Sequence, residues 1–249
     1  MTAQSRIQSV IDRNMRRHMF TQPTAKAYVL CAYATAEGSG EGAIFDRALE
    51  RSVDPKIAKL IKKHKEDELR HERMITERRI AMGLPWMPVP AALRGIDVLS
   101  EAAGGVLDLP MDKDEDLRRV YELLYVIEER AYEEFSAAAT ALEASGDPKT
   151  AAVFREIRDD EANHLRYCVA VGNMFSESEE AFMEGVQRMR VLEAKVYAEQ
   201  GRGTMRYLLD ARLIDLPLHW EIVIRGVSAV ADALQLTGPQ TQQPAFVAA

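Results

Sequence analysis

Cysteine is scarce. The 249-residue chain has two, Cys31 and Cys168, far apart and in no Cys-x-x-Cys pair. That argues against a disulfide framework and excludes a four-cysteine iron or zinc module. Aromatic residues make up 7 % of the chain, well short of the aromatic and β-branched richness of all-β proteins. No uncharged apolar run reaches the ~18 residues that a membrane-spanning helix needs. The first residues lack the apolar stretch and small-residue cleavage site of a secretory signal. Positive charge is in deficit, with 32 Lys and Arg against 39 Asp and Glu and a net charge of -7. That balance argues against a nucleic-acid-binding surface over the whole molecule. The expectation is a reduced, cytoplasmic protein with no transmembrane segment.

What the chain does have is helical periodicity. A polar stretch with Arg13, Arg16 and Arg17 reads as a short helix ending near Phe20. Segments with apolar residues three and four apart then run from about Thr24 to Arg51, Pro55 to Ala81, Glu115 to Ala144 and Pro148 to Met174. Asp54-Pro55 and Asp147-Pro148 each read as an N-cap followed by proline at the first helical position. Between the second and third segments lies a proline- and glycine-containing stretch of roughly 30 residues, long for a compact domain. Two helical hairpins joined by one long crossover need such a stretch. A fifth helix is expected from Ser176 or Ser178, and a further helical region after Gly203, interrupted at Pro217. The expected fold class is all-α, one domain over residues 1–236. Its core bundle spans about 24–174 and a C-terminal helical extension about 176–236, with a disordered tail over 237–249.

The strongest signal is a repeat. Asp54-Pro55-Lys56-Ile57-Ala58 leads to Asp67-Glu68-Leu69-Arg70-His71, and Asp147-Pro148-Lys149-Thr150-Ala151 leads to Asp160-Glu161-Ala162-Asn163-His164. From the Asp of Asp-Pro to the glutamate is 14 residues in both. One Glu-x-x-His would carry little weight, since with 24 Glu and 5 His about half an occurrence is expected by chance. Two in register are a different matter, and duplication of one hairpin is the simplest cause. Spacing i, i+3 puts Glu and His on one helix face. The preceding helix of each hairpin must then supply one more carboxylate. Glu37 and Glu128 fit, each followed by a small residue at +3 (Gly40, Ala131) and an apolar one at +7 (Ile44, Phe135). Glu41 competes with Glu37, and Glu129 with Glu128.

Four carboxylates and two imidazoles suit two Fe ions, two Mn ions or a mixed Mn/Fe pair, being oxygen-rich with one nitrogen per metal. The expected arrangement has Glu68 and Glu161 bridging, Glu37 with His71 on one ion and Glu128 with His164 on the other. Burying four carboxylates is costly unless metal or protons neutralise them. By pseudo-symmetry Asp160 would accept the outer N–H of His71 and Asp67 that of His164, fixing each ring. Three further residues share these faces. His64 precedes Glu68 by four, but its repeat mate is Ile157, so a packing or supporting role is expected. Tyr125 and Tyr132 flank Glu128 and are candidates for a proton or electron relay, with core packing the plainer role. Gly38, Gly40 and Gly42 either clear space beside the metals or allow close helix packing.

The paired Asp-Glu-x-x-His segments with Glu37 and Glu128 resemble the ferritin-like di-iron carboxylate superfamily, which includes rubrerythrins, bacterioferritins and oxygen-activating hydroxylases. The resemblance covers about residues 24–174. It implies a ferritin-like four-helix bundle and activation of O2 or peroxide at the six ligand positions. It also implies a small organic substrate, an external electron donor and, as a candidate assembly, a homodimer. The rubredoxin-like cysteines of rubrerythrins are absent, and some 75 residues follow the bundle. Both features favour an oxygenase or oxidase over a peroxide scavenger or a ferroxidase that stores iron. A metal-stabilised structural bundle is the remaining reading.

Overall fold

A computed structural model describes residues 14–38, 41–51 and 54–237. All regular structure among these is helical: α1 (residues 14–21), α2 (Pro23–Gly38), α3 (Glu41–Arg51), α4 (Pro55–Ala81), α5 (Gly95–Ala102), α6 (Asp114–Ala144), α7 (Pro148–Met174), α8 (Glu179–Asp210) and α9 (Leu218–Thr237). Of the expected tail over 237–249, Thr237 ends α9 and residues 238–249 lie outside the described residues. The expected single helix from Thr24 to Arg51 is described as two, α2 and α3, on either side of residues 39–40, which also lie outside.

Local chemistry accounts for the helix starts. Asp54 accepts from the backbone N–H of Lys56 at 2.7 Å and heads α4, with Pro55 following. Asp147 accepts from Thr150 N–H at 3.1 Å and heads α7. Asp114, Glu115 and Asp116 place negative charge in the first turn of α6, where the helix dipole favours it. Ser178, of the two serines considered, caps α8 by accepting from Ala181 N–H. Gly146 closes the α6–α7 hairpin with φ +87°, a left-handed conformation that glycine adopts at little cost.

Two sequence expectations need correction. The crossover between α4 and α6 contains a helix, α5, that packs against α8, together with 3₁₀ turns at Ala91–Leu93 and Val106–Asp108. With only eight residues and no side-chain cap, α5 carries little signal of its own. The two helical regions expected on either side of Gly203 are one helix, α8, running unbroken through it. A Cβ at Gly203 would lie 3.0 Å from the Leu93 side chain. The glycine thus allows the crossover to approach α8, at an expense of about 1 kcal/mol in helix propensity.

α2 packs along α4 and α6 along α7, the pairs meet through α4 and α7, and α8 lies against α6. Inward positions on α4 fall at Ile57, Ile61, His64, Glu68, His71 and Ile75, and on α7 at Ala151, Phe154, Ile157, Glu161, His164, Cys168 and Val171. These are steps of three and four, the spacing of one buried stripe. Each stripe is apolar at both ends and polar in the middle. One apolar cluster joins Phe45, Ile61, Leu124 and Cys168; another joins Leu30, Ile75, Phe135 and Phe154. Between them lies a layer of buried acids and imidazoles. No helix among the described residues is long and apolar enough to cross a membrane.

Candidate metal centre

That polar layer draws on four helices. α2 contributes Glu37 from its last turn, α4 His64, Glu68 and His71, α6 Glu128, and α7 Glu161 and His164. None of the seven exceeds 7 % exposure, so all are removed from water. They form two groups, Glu37, Glu68, His71 and Glu161, and His64, Glu68, Glu128 and His164, in each of which one donor atom per residue lies within 4.8 Å of the others. All six residues proposed as ligands from the repeat fall in these groups, and Glu68 belongs to both.

The carboxylates of Glu68 and Glu161 each turn one oxygen to either side. Glu161 Oε1 lies 3.3 Å from His71 Nδ1 and its Oε2 2.8 Å from His164 Nδ1. Glu68 Oε2 lies 4.0 Å from His71 Nδ1 and its Oε1 3.0 Å from His164 Nδ1. Glu37 Oε2 sits 3.1 Å from His71 Nδ1 on one side, and Glu128 Oε2 3.5 Å from His164 Nδ1 on the other. Oε1 of Glu68 and Oε1 of Glu161 are fully buried, yet among the described residues neither makes a hydrogen bond of acceptable geometry. Lone pairs in that condition cost about 1–3 kcal/mol each. Their neighbours are near enough to share a cation but are not aligned to donate a proton. Donor type, burial and orphaned oxygens therefore fit a metal site, and the donor set suits iron or manganese.

No protein-family model matches the chain, and no curated protein or solved structure matches it significantly.

The outer nitrogens of the two repeat histidines face the aspartates of the repeat. His71 Nε2 lies 3.3 Å from Asp160 Oδ2, and His164 Nε2 3.6 Å from Asp67 Oδ2. Arg70 ties the two acids together, donating to Asp67 at 3.0 Å and to Asp160, while Lys63 pairs with Asp67. Arg70 occupies the x of Glu-x-x-His and was not a sequence candidate. Through Asp160 it holds the His71 ring so that Nδ1 turns inward; the bond expected from His164 to Asp67 is not made, and His164 Nε2 has no hydrogen-bond partner among the described residues.

The metal-free electrostatics are those of a proton-filled site. Burial, then the Glu68 charge, pushes Glu161 up to about 7 and Glu37 well above the usual carboxylate range. Burial would depress the imidazoles, but Glu161 and Glu37 outweigh it and carry His71 up to about 11. Burial likewise opposes the shift at His164, where Asp67, Glu128 and Glu161 raise it well above its ordinary value. At Glu128 burial is outweighed by the His64 charge and by His164, leaving the carboxyl well below the ordinary range.

The remaining candidates separate cleanly. Glu129 is engaged by Arg190 through two bonds of 2.7 Å and belongs to neither donor group. Tyr125 packs edge-on against Phe182 with Arg190 over its ring, and Tyr132 is 40 % exposed; neither meets the donors as a relay would require. The Glu41 side chain lies outside the described residues. His64, expected in a packing or supporting role, has its Nε2 3.0 Å from Glu128 and 3.3 Å from Glu68, and its ring stacks on His164 at 3.9 Å. A Cβ at Gly38 would meet only the Glu72 carboxyl group, the movable end of a long side chain.

A cavity of about 180 Å³ opens beside the donors. Glu37, Glu68, Glu128 and Glu161 face it, with Ile96, Leu99, Ile127, Phe135 and Val196 among its apolar walls. Glu134 closes part of it, paired with Arg16 at 2.6 and 2.7 Å and hydrogen-bonded by the hydroxyls of Tyr33 and Tyr197. Burial pushes this carboxyl up, but the Arg16 charge prevails and holds it below the ordinary range. Glu134→Ala would strand Arg16 and is expected to lower stability by about 3 kcal/mol, measured by urea unfolding; Glu134→Gln should lose less.

Proposed function

We propose that the chain is a ferritin-like di-metal carboxylate oxidoreductase that activates O2 to oxidise or hydroxylate a small organic molecule. In this reading α2, α4, α6 and α7 are the four helices of the bundle, iron is the resident metal, and an external donor supplies electrons. The observation that carries it is the pair of buried donor groups sharing Glu68 and opening on an apolar cavity. A storage protein has no need of an apolar cavity beside its metal site. A structural site would close the donor shell with protein atoms and leave no room for a substrate.

Glu37, Glu68 and Glu161 with His71 would hold one ion, and Glu68 and Glu128 with His64 and His164 the other. Divalent iron bound there would supply the electrons that dioxygen takes up. The protein's share is arrangement: Asp160, held by Arg70, orients His71, and the two apolar clusters exclude water above and below the layer. The extra nitrogen of His64 makes the two halves unequal, so the ions should bind with different affinities.

Anaerobic titration with Fe(II) followed by an oxygen-electrode measurement tests this reading. Two irons per chain, bound in two distinguishable steps and consuming oxygen in proportion to bound iron, are expected. Iron bound without oxygen uptake would overturn the oxidative function. Uptake that continues through tens of irons per chain would favour ferroxidation and storage instead.

A further inference from the structure

We infer that Tyr33 and Tyr197, joined through Glu134, form a redox relay that carries a one-electron oxidising equivalent from the cavity out to α8 when no substrate consumes it. Tyr33, Glu134 and Tyr197 line the cavity along with the candidate ligands Glu37, Glu68, Glu128 and Glu161. Tyr33 stands one turn before Glu37 on α2 and is the inner end of the relay. Tyr197 belongs to α8, which lies outside the four helices that supply the donors, and is partly exposed. Each phenol donates to its own oxygen of the Glu134 carboxylate, Tyr33 to Oε2 at 3.1 Å and Tyr197 to Oε1. One carboxylate therefore serves both rings as proton acceptor.

Electron and proton have to leave together. A phenol that has lost an electron is a strong acid. Positive charge on Tyr197 is opposed by Arg16, 3.1 Å from its hydroxyl, and by the Arg130 guanidinium, 4.0 Å over its ring. Glu134, kept ionised by Arg16, is the base that takes the proton. Burial and the Glu134 charge hold the Tyr33 phenol protonated at rest. In the first step Tyr33 gives one electron to an oxidant in the site and its phenolic proton to Glu134. In the second, Tyr197 gives one electron to the Tyr33 radical. Its proton passes to Glu134 as the proton held there returns to the Tyr33 oxygen. A thiol or ascorbate-type reductant in solution then restores Tyr197 with one electron, and Glu134 returns the proton. Tyr121 is the contrast, because its hydroxyl is buried with no hydrogen-bond partner among the described residues and so lacks a base. The relay rests on the proposed function only for the source of the oxidant.

The test loads the full-length chain with Fe(II) anaerobically and admits oxygen without substrate. Freeze-quench electron paramagnetic resonance then reads tyrosyl radical formed per oxygen consumed. The wild type should give a radical that passes to Tyr197. Tyr197→Phe should trap it on Tyr33, with an altered spectrum and a longer life, and Tyr33→Phe should abolish it. Glu134→Gln still accepts from a hydroxyl but takes no proton, and should suppress the radical; Tyr121→Phe should leave it unchanged. Oxygen uptake with no tyrosyl radical, a radical indifferent to Tyr33→Phe and Glu134→Gln, or one lost in Tyr121→Phe would overturn the relay. If iron is not bound or oxygen is not consumed, the proposed function falls instead. The relay is then read in metal-free protein oxidised by a photogenerated ruthenium(III) complex. There the radical should be lost in Glu134→Gln and in the double variant Tyr33→Phe, Tyr197→Phe, and its survival in either would overturn the relay.

Discussion

Glu68→Ala is expected to abolish both metal sites at once, the largest single-residue effect in the molecule. Glu68 is the one residue common to both donor groups, with one oxygen toward each half. Its removal takes a ligand from each ion and leaves His64, His71 and His164 facing fewer carboxylates. Losing even an outer partner of a metal ligand costs roughly 10–100-fold in affinity, so losing a shared ligand should exceed that at both sites. The contrast variants make the result diagnostic. Glu37→Ala removes a donor from the His71 half alone, and His64→Ala from the His164 half alone, so each should leave close to one metal per chain. Metal analysis after equilibrium dialysis against Mn(II) reads all three. Two metals retained in Glu68→Ala, or identical losses from Glu37→Ala and His64→Ala, would show that the groups do not act as two sites sharing this carboxylate.

How much of this could be read in advance depended on whether the signal lay within one helix or between helices. The repeat exposed Glu68, His71, Glu161 and His164 because duplication wrote the same spacing twice. The face argument then led to Glu37 and Glu128. His64 broke the repeat, being matched with Ile157, and a pattern argument discounts a residue with no mate. Its role became visible only when the four-residue step from His64 to Glu68 met Glu128 arriving from α6. Glu128 and Glu129 were indistinguishable by spacing, and Arg190, 61 residues on, decides between them by engaging Glu129. The cavity was not legible at all. Beyond Glu68 and Glu161 its walls come from α2, α5, α6 and α8, and neither the short α5 nor the continuity of α8 through Gly203 had a local signature. Arg70 lies inside the motif, but its partner Asp160 comes from another helix, so its role depends on contacts that spacing within α4 does not show.

Protein with chelated metal and protein with bound metal should respond to pH in opposite directions. Without metal, the burial-driven rise of Glu161 from 4.5 to about 7 stabilises the fold through its protonated form. That contribution is complete below the unfolded value and is lost as pH climbs through 7. His71, raised from 6.5 to about 11 because Glu161 and Glu37 outweigh burial, acts in the same sense and fades later, above 6.5. For Glu161 alone the shift corresponds to something on the order of 3 kcal/mol, or roughly 6–12 °C in Tm for a chain of this size. Carboxylates held low in the fold act on the acid side. Glu134, Asp147 and Glu128 withdraw their contribution as pH falls below about 4. The metal-free protein should therefore be most stable at about pH 4 to 4.5 and lose stability steadily as pH climbs from there through 7. With Mn(II) bound the sign reverses, because the same acids and imidazoles must shed their protons to coordinate, and affinity climbs as they do. Melting curves from pH 5 to 8, with chelator and with Mn(II), should cross. Parallel curves would mean that the polar layer is a self-neutralising network of protons rather than a site built for cations.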